Sequence, residues 1–250
     1  MTGARTVLVT GGAKRLGAAI VQALAAAGHR PVIHYGASRA AAVALAETVG
    51  GVTVRGDLAD LDGIPALFGR AREAAGAPID GLVNCASAFE FDTPPDIDAA
   101  LFARLNAINA AAPTMLAGEL ARQGDIVDGA VVNLLDQKVA NLNPDFFSYS
   151  CAKIALEGAT TMLAQALAPR VRVNAVSPGL TLKSGDQSDA EFAAVASRNL
   201  LRRPVGAERV AEAVVYLIGS SGVTGQNVFV DGGQRFVPSP RDVMFERARG

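Results

Sequence analysis

The sequence predicts an α/β fold, a doubly wound parallel sheet with helices on both of its faces. Two observations carry this. Short β-branched apolar runs alternate with alanine-rich helical segments along nearly all 250 residues, and the first run is followed by a glycine-rich turn that opens a helix. No linker composition and no internal repeat breaks the alternation. The expectation is therefore one domain spanning residues 1–250, long enough to bury a large core.

Residues 5–10 (RTVLVT) read as the first strand, GGAKRLG turns the chain, and residues 16–28 form an apolar-periodic helix ended by Gly28. Glycines at such a turn let backbone N–H groups approach a pyrophosphate, and the helix N-terminus that follows favours its negative charge. The pattern then repeats: strand 31–35, helix 40–49, strand 52–56, helix 64–75 and strand 79–84. A long helical segment covers residues 101–122, and the apolar run 130–135 ends at Asp136. The next helix carries Tyr149 and Lys153 and runs to Leu167, followed by strand 171–176, helix 207–219 and strand 227–230. The one long interruption, residues 180–204, is polar at its start and helical in its middle, which predicts an insertion folding over a cleft. The tail after Phe236 is proline-broken and charged. It is expected either to be disordered or to dock on a neighbouring subunit.

Composition narrows the partners. The formal charge is −1 with no run of like charges, which argues against nucleic acid or an anionic membrane surface. Half the residues are apolar, yet no window approaches the ~18 uninterrupted apolar residues of a membrane span. The first strand begins near Arg5, leaving no room for a signal peptide, and two cysteines are too few for a disulfide framework, so a cytoplasmic location is expected. Cys85 and Cys151 lack an adjacent activating base and read as small packing residues. His29 and His34 show no metal-ligand spacing, and no metal is expected.

Chemistry concentrates around Asp136, Tyr149 and Lys153. Four residues apart on a helix, Tyr149 and Lys153 project from one face, and an ammonium beside a phenol pulls the tyrosine pKa towards working pH. After the second strand the chain reads Tyr35, Gly36, Ala37, Ser38 and Arg39, with no carboxylate to hold an adenosine ribose. Arg15 and Arg39 can neutralise a 2′-phosphate and Ser38 can donate to it, which favours NADP(H) over NAD(H). The alternative is that Arg39 is simply solvated on the first turn of its helix.

In their order these residues resemble the short-chain dehydrogenase/reductase family across nearly the whole chain. The matching pieces are TGGAKRLG from Thr10, Asp57-Leu58 after the third strand, NCAS from Asn84, Asn109, the Tyr149 to Lys153 segment, RVNAVSPG ending at Gly179, and VDGG around Asp231. The resemblance implies a Rossmann-type sheet of about seven strands, a nicotinamide cofactor, hydride transfer and a homotetramer. By the same resemblance the cofactor would be held by Gly11, Lys14, Arg15, Leu16 and Gly17 in the first turn, and by Tyr35, Ser38 and Arg39 after the second strand. Asp57, Leu58, Asn84 and Ala86 would follow, with Pro178 and Gly179 at the far edge. Lys153 would hold the nicotinamide ribose, and the backbone of Asn109 would hold a water near it, completing a proton path. Catalysis would fall to Asp136, Tyr149, Lys153 and Asn109.

Two departures point to one branch. Most of the family has glycine at Arg15 and a catalytic serine at Asp136; the pteridine reductases and dihydromonapterin reductases share both changes. Phe89, the strand ending His34-Tyr35, and Pro178-Gly179-Leu180 also fit that branch. The resemblance implies that Arg15 touches cofactor phosphate and pterin, that Phe89 stacks on the pterin ring, that Asp136 works with Tyr149, and that Leu180 lies at the substrate edge. A carboxylate would repel the charge growing on a ketone oxygen, so Asp136 argues against simple ketone reduction. Lys153 lowers the Tyr149 pKa and a charged Asp136 raises it, so the pair is expected to titrate as a unit. The leading expectation is an NADPH-dependent reductase taking a dihydropterin to a tetrahydropterin. The alternatives are a carbonyl or 3-oxoacyl reductase of the same family and a non-catalytic NADP-binding regulator. At residue level, Asp136 would then only cap the segment after its strand, and Phe89 would be an ordinary core aromatic.

Overall fold

The computed structural model describes residues 3–183, 189–243 and 245. Seven strands form one sheet: β1 (Thr6–Thr10), β2 (Arg30–Tyr35), β3 (Val52–Arg55), β4 (Gly81–Asn84), β5 (Gly129–Leu134), β6 (Val171–Pro178) and β7 (Asn227–Val230). Their order is β3-β2-β1-β4-β5-β6-β7, and every neighbouring pair is parallel. The chain walks outward from β1 to β3, returns past β1 to β4, and continues to the other edge. The crevice between the carboxyl ends of β1 and β4 is thus the switch point, where open α/β sheets bind ligands.

Burial on both faces explains the apolar strands. Val7 and Val9 enter one core with Ile33, Val83 and Val132, together with Ile20 and Leu24 of α1 (Arg15–Ala26), Leu45 of α2 (Arg39–Val49) and Val214 of α8 (Ala207–Gly219). Leu8 points the other way with Val32, Leu82 and Val131, against Leu67 of α3 (Ile64–Ala75) and Leu116 of α5 (Ala112–Arg122). This alternation follows from the two-residue period of a strand and the in-register pairing of Leu8 with Val32 and Leu82.

Most expected elements are present, with ends displaced by one or two residues. The exception is the segment expected as one long helix over 101–122. It comprises α4 (Ala99–Asn106), a π-helical turn (Ala107–Ala111) and α5. Asn109 explains the break: its side chain bonds both the Ala88 N–H (3.2 Å) and the Ala88 carbonyl (2.9 Å), fixing the helix to the loop after β4 at the point where the regular ladder widens. The tail also departs from expectation. Residues 237–243 and 245 lie against the same chain, through Lys138 to Asp242 (2.8 Å), Arg241 to Asp145 (2.7 Å) and the Phe245 ring against Phe91 and Phe146. Complementary charge in the loop before α6 (Phe147–Leu167) provides the docking site. Within the insertion, α7 spans Asp189–Ala196, while residues 184–188 lie outside the described residues.

Candidate active site

The candidate cofactor end is built from the turn after β1. Gly11 has φ +63°, and a Cβ there would stand 2.8 Å from Ala86 Cα; a Cβ on Gly17 would stand 2.2 Å from the Gly11 carbonyl oxygen. Only glycine allows the turn, the start of α1 and the loop after β4 to close on one another. Lys14 gives α1 no side-chain cap, so the first N–H groups of that helix are open to an anion at the switch point. Arg15 opens the helix at φ +53°, a left-handed conformation uncommon for any side chain but glycine, and its Nη2 donates to the Lys183 carbonyl (2.9 Å). That bond ties the cofactor turn to the insertion. A dinucleotide phosphate fits this cradle.

Tyr35 ends β2 with its side chain buried in the core. Asn84 is turned inward: its Nδ2 donates to Asn133 Oδ1 (2.8 Å) and to the Pro113 carbonyl (3.3 Å), and Asn133 in turn donates to Thr160 (2.9 Å). A buried amide must find partners, and this ladder joins β4, β5, α5 and α6. Asn84 Oδ1 is buried and has no hydrogen-bond partner among the described residues. Leu58 is buried, while Asp57 is exposed and accepts from the Ala59 N–H. An opening of about 670 Å³ at the ends of β2 and β3 is lined by Gly36, Ala37, Arg55, Gly56, Asp57 and Arg70. The guanidinium groups beside it are those of Arg55 and Arg70; Ser38 and Arg39 sit just outside, at the start of α2. At the other edge, a Cβ on Gly179 would stand 2.9 Å from Asp231 Cα, and the Leu180 N–H donates to Gln234 (3.1 Å). This keeps the Pro178 end of β6 close against the turn after β7.

The candidate catalytic end joins β5 to α6. Asp136 lies just past β5; its Oδ1 accepts from the Lys138 N–H (2.9 Å) and its Oδ2 accepts from the Tyr149 hydroxyl (2.9 Å). It therefore caps the 3₁₀ turn Gln137–Ala140 and meets the tyrosine as well. Lys153 is buried and its Nζ donates to the Leu134 carbonyl (2.7 Å), with the Tyr149 ring centroid 5.6 Å away.

The electrostatics reverse one expectation. Burial, then the charge and hydrogen bond of Asp136, hold the Tyr149 phenol well above its ordinary pKa, with Ser87 working in the opposite direction. The ammonium does not win because the lysine bonds the Leu134 carbonyl, whereas the carboxylate contacts the phenol directly. Burial raises Asp136 and lowers Lys153 to about 8. Tyr149 is thus a neutral proton donor to a carboxylate whose own proton affinity is increased. Cys85 is pushed up to about 12 by burial, and burial together with Asp92 raises Cys151, so neither is primed as a thiolate.

Phe89 is 44% exposed and is no core aromatic. One face stacks on Phe146 (centroids 4.0 Å) and its edge meets Tyr149 (4.8 Å, 89°). A cavity of about 150 Å³ beside it is lined by Asp136, Leu180, Phe192, Val237 and Asp242. A larger hollow, about 850 Å³, lies off β7 beside Leu201, Val205 and Phe229 but contains none of the candidate catalytic side chains, so size alone does not mark the site.

Three residues outside the expected set belong to this region. Ser87 donates to Asn109 Oδ1 (2.8 Å) and reaches Tyr149, joining the two; its signal was a hydroxyl closing the NCAS motif. Phe146 precedes α6 at φ +55° and supports Phe89. His34 accepts from the Gly11 N–H at Nδ1 (3.2 Å) and faces the Gly56 carbonyl at Nε2 (3.3 Å), so it is neutral with its proton on Nε2, and burial lowers its pKa to about 4. It clasps the ends of β1, β2 and β3 together. Among the described residues no cluster of three or more His, Cys, Asp or Glu is arranged to hold a metal, and no helix is long and apolar enough to cross a membrane.

Comparison with known proteins agrees with this architecture. A crystal structure of FolM alternative dihydrofolate reductase 1 from Brucella canis, complexed with NADP, superposes with a TM-score of 0.89 at 39% identity, covering 95% of this chain and 96% of that one. Pteridine reductase 1 of Leishmania tarentolae is 32% identical, with 92% of this chain and 96% of the relative covered. Dihydromonapterin reductase of Enterobacter sp. (strain 638) is 27% identical over the same shares of the two chains. Residues 11–235 match the family model described as enoyl-(acyl carrier protein) reductase. With this sheet, this glycine turn and this tyrosine-lysine helix, the chain belongs to the short-chain dehydrogenase/reductase family and is similar to its pteridine-reductase-like branch.

Proposed function

We propose that the protein is an NADPH-dependent reductase that takes a dihydropterin to a tetrahydropterin. One observation carries the pterin reading: the 2.9 Å bond from the Tyr149 hydroxyl to Asp136, in a buried site where most of the family has serine. A carboxylate there disfavours an oxygen that gains negative charge, but it suits a ring nitrogen that must gain a proton. Tyr149 and Asp136 share that proton, and Asn109, through Ser87, connects the pair to the interior. Phe89, backed by Phe146 on one face, offers a flat apolar surface for a fused ring, and Leu180 lines the same cavity. The cofactor reading is supported by the acid-free end of β2, the open N-terminus of α1 and the NADP-bound Brucella relative. The first turn of α1, Arg15, Lys153 and the Gly179 edge would hold the dinucleotide, which supplies the hydride. As a second part of the proposal, the enzyme is a cytoplasmic homotetramer; the exposed Leu200 and Leu201 beside the hollow off β7 support an interface between copies, which sedimentation would test.

The test is NADPH oxidation with dihydrobiopterin, dihydromonapterin and dihydrofolate beside a panel of β-ketoesters and quinones. Turnover of a pterin that collapses in Asp136→Ala is the expected result. Ketone turnover that survives or improves in Asp136→Ser would favour a carbonyl reductase instead.

A further inference from the structure

The tail after Phe236 has no part in the chemistry above, yet it meets the loop that carries it. Lys138, Asn141 and Asp145 all lie between Asp136 and Tyr149, and each binds the tail. Lys138 Nζ donates to Asp242 Oδ2 (2.8 Å), with both side chains nearly buried. Asn141 donates to the Val237 carbonyl (3.1 Å). Asp145, 1% exposed, accepts from Arg241 Nε and from the Asp242 N–H, both at 2.7 Å. A buried carboxylate and a buried ammonium are stable only when paired, and here each finds its partner in the other segment. The match is reciprocal, with a cation and an anion on each side.

The tail also bounds the candidate substrate cavity. Phe89, Asp136 and Leu180 line it together with Val237, Pro238 and Asp242 of the tail. The enclosed volume is about 150 Å³, below the roughly 300–1,000 Å³ of sites that take drug-sized ligands.

We propose that residues 237–243 are a wall of the substrate site of their own chain, latched by Lys138–Asp242 and Arg241–Asp145, and that this wall restricts the substrate to a fused ring with a short substituent. A ligand with a long conjugated side chain must displace the latch before it can bind. The size selection rests on the pterin reading; the docking of the strap does not. The latch residues are specificity-determining and touch no reacting atom.

Two variants of the full-length protein test this, Asp145→Asn and Asp145→Ala, which break the bonds to Arg241 and to the Asp242 N–H without altering the cavity lining. Tryptic cleavage after Arg241 reads strap docking without any substrate, and should be about tenfold or more faster in Asp145→Asn, which leaves the cleavage site itself unchanged, than in the wild type. Steady-state kinetics with NADPH read the selection. The ratio of kcat/KM for dihydrofolate over dihydrobiopterin should rise by about tenfold in both variants, through a fall in the dihydrofolate KM with kcat for dihydrobiopterin changed less than about threefold. An unchanged ratio in both variants overturns the size selection, and equal tryptic rates overturn the latch. If the wild type turns over neither pterin, the functional reading and the size selection fall together, while the tryptic rates still decide whether the strap is docked.

Discussion

At the residue scale the chemistry turns on which group holds the Tyr149 proton. Pairing Tyr149 with Lys153 by their four-residue spacing suggests an acidified phenol, but distance decides otherwise: the carboxylate is 2.9 Å from the hydroxyl and the lysine bonds a strand carbonyl. Tyr149→Phe should lower turnover by roughly 10²–10⁴-fold with little change in NADPH affinity, and near-normal turnover would remove the tyrosine from the mechanism. Lys153, lowered to about 8 by burial, sets the alkaline side. Reduction that needs its ammonium should fall as pH rises through about 8, measured as kcat/KM against pH. Because the Asp136 charge raises the lysine pKa, Asp136→Asn should move that limb to lower pH. A profile flat from neutral to strongly alkaline pH would show that the lysine charge is not used.

At the element scale, the turn between β1 and α1 combines strain with contact. Arg15 occupies a conformation that glycine takes freely, so Arg15→Gly should gain about 1 kcal/mol of stability while weakening NADPH more than NADH. Denaturant titration and cofactor titration would check the two signs separately; equal losses for the two cofactors would discount a 2′-phosphate contact. His34 adds a pH signature. Its folded pKa of about 4 lies below the unfolded value of 6.5, so the unfolded chain binds more protons between these values and stability is lost as pH falls across that window. In His34→Ala that acid-side slope should flatten, alongside a loss of about 1–3 kcal/mol from the unpaired Gly11 N–H. The strands and most helices were legible because a parallel sheet buried on both faces imposes runs of Val, Ile and Leu separated by amphipathic segments. The π turn was not, since 101–122 has ordinary helical composition and the break comes from Asn109 bonding a loop twenty-one residues away.

For the whole molecule, topology was readable further than contact. The glycine turn, Asp136, Tyr149 and Lys153 fall at the carboxyl ends of the central strands as alternation predicts. The side-chain directions of Tyr35 and Asn84 were not legible: motif position says which strand end a residue occupies, whereas side-chain direction depends on pleat and on buried partners. The tail was illegible because its partners, Lys138 and Asp145, lie about a hundred residues earlier and carry no local pattern. Pterin reduction through Asp136 is decided by NADPH oxidation with dihydrobiopterin, dihydromonapterin and dihydrofolate, beside β-ketoesters and quinones, in the wild type and in Asp136→Ala. Pterin turnover that collapses in the variant is the predicted result; turnover confined to ketones or quinones, undiminished in the variant, would contradict it.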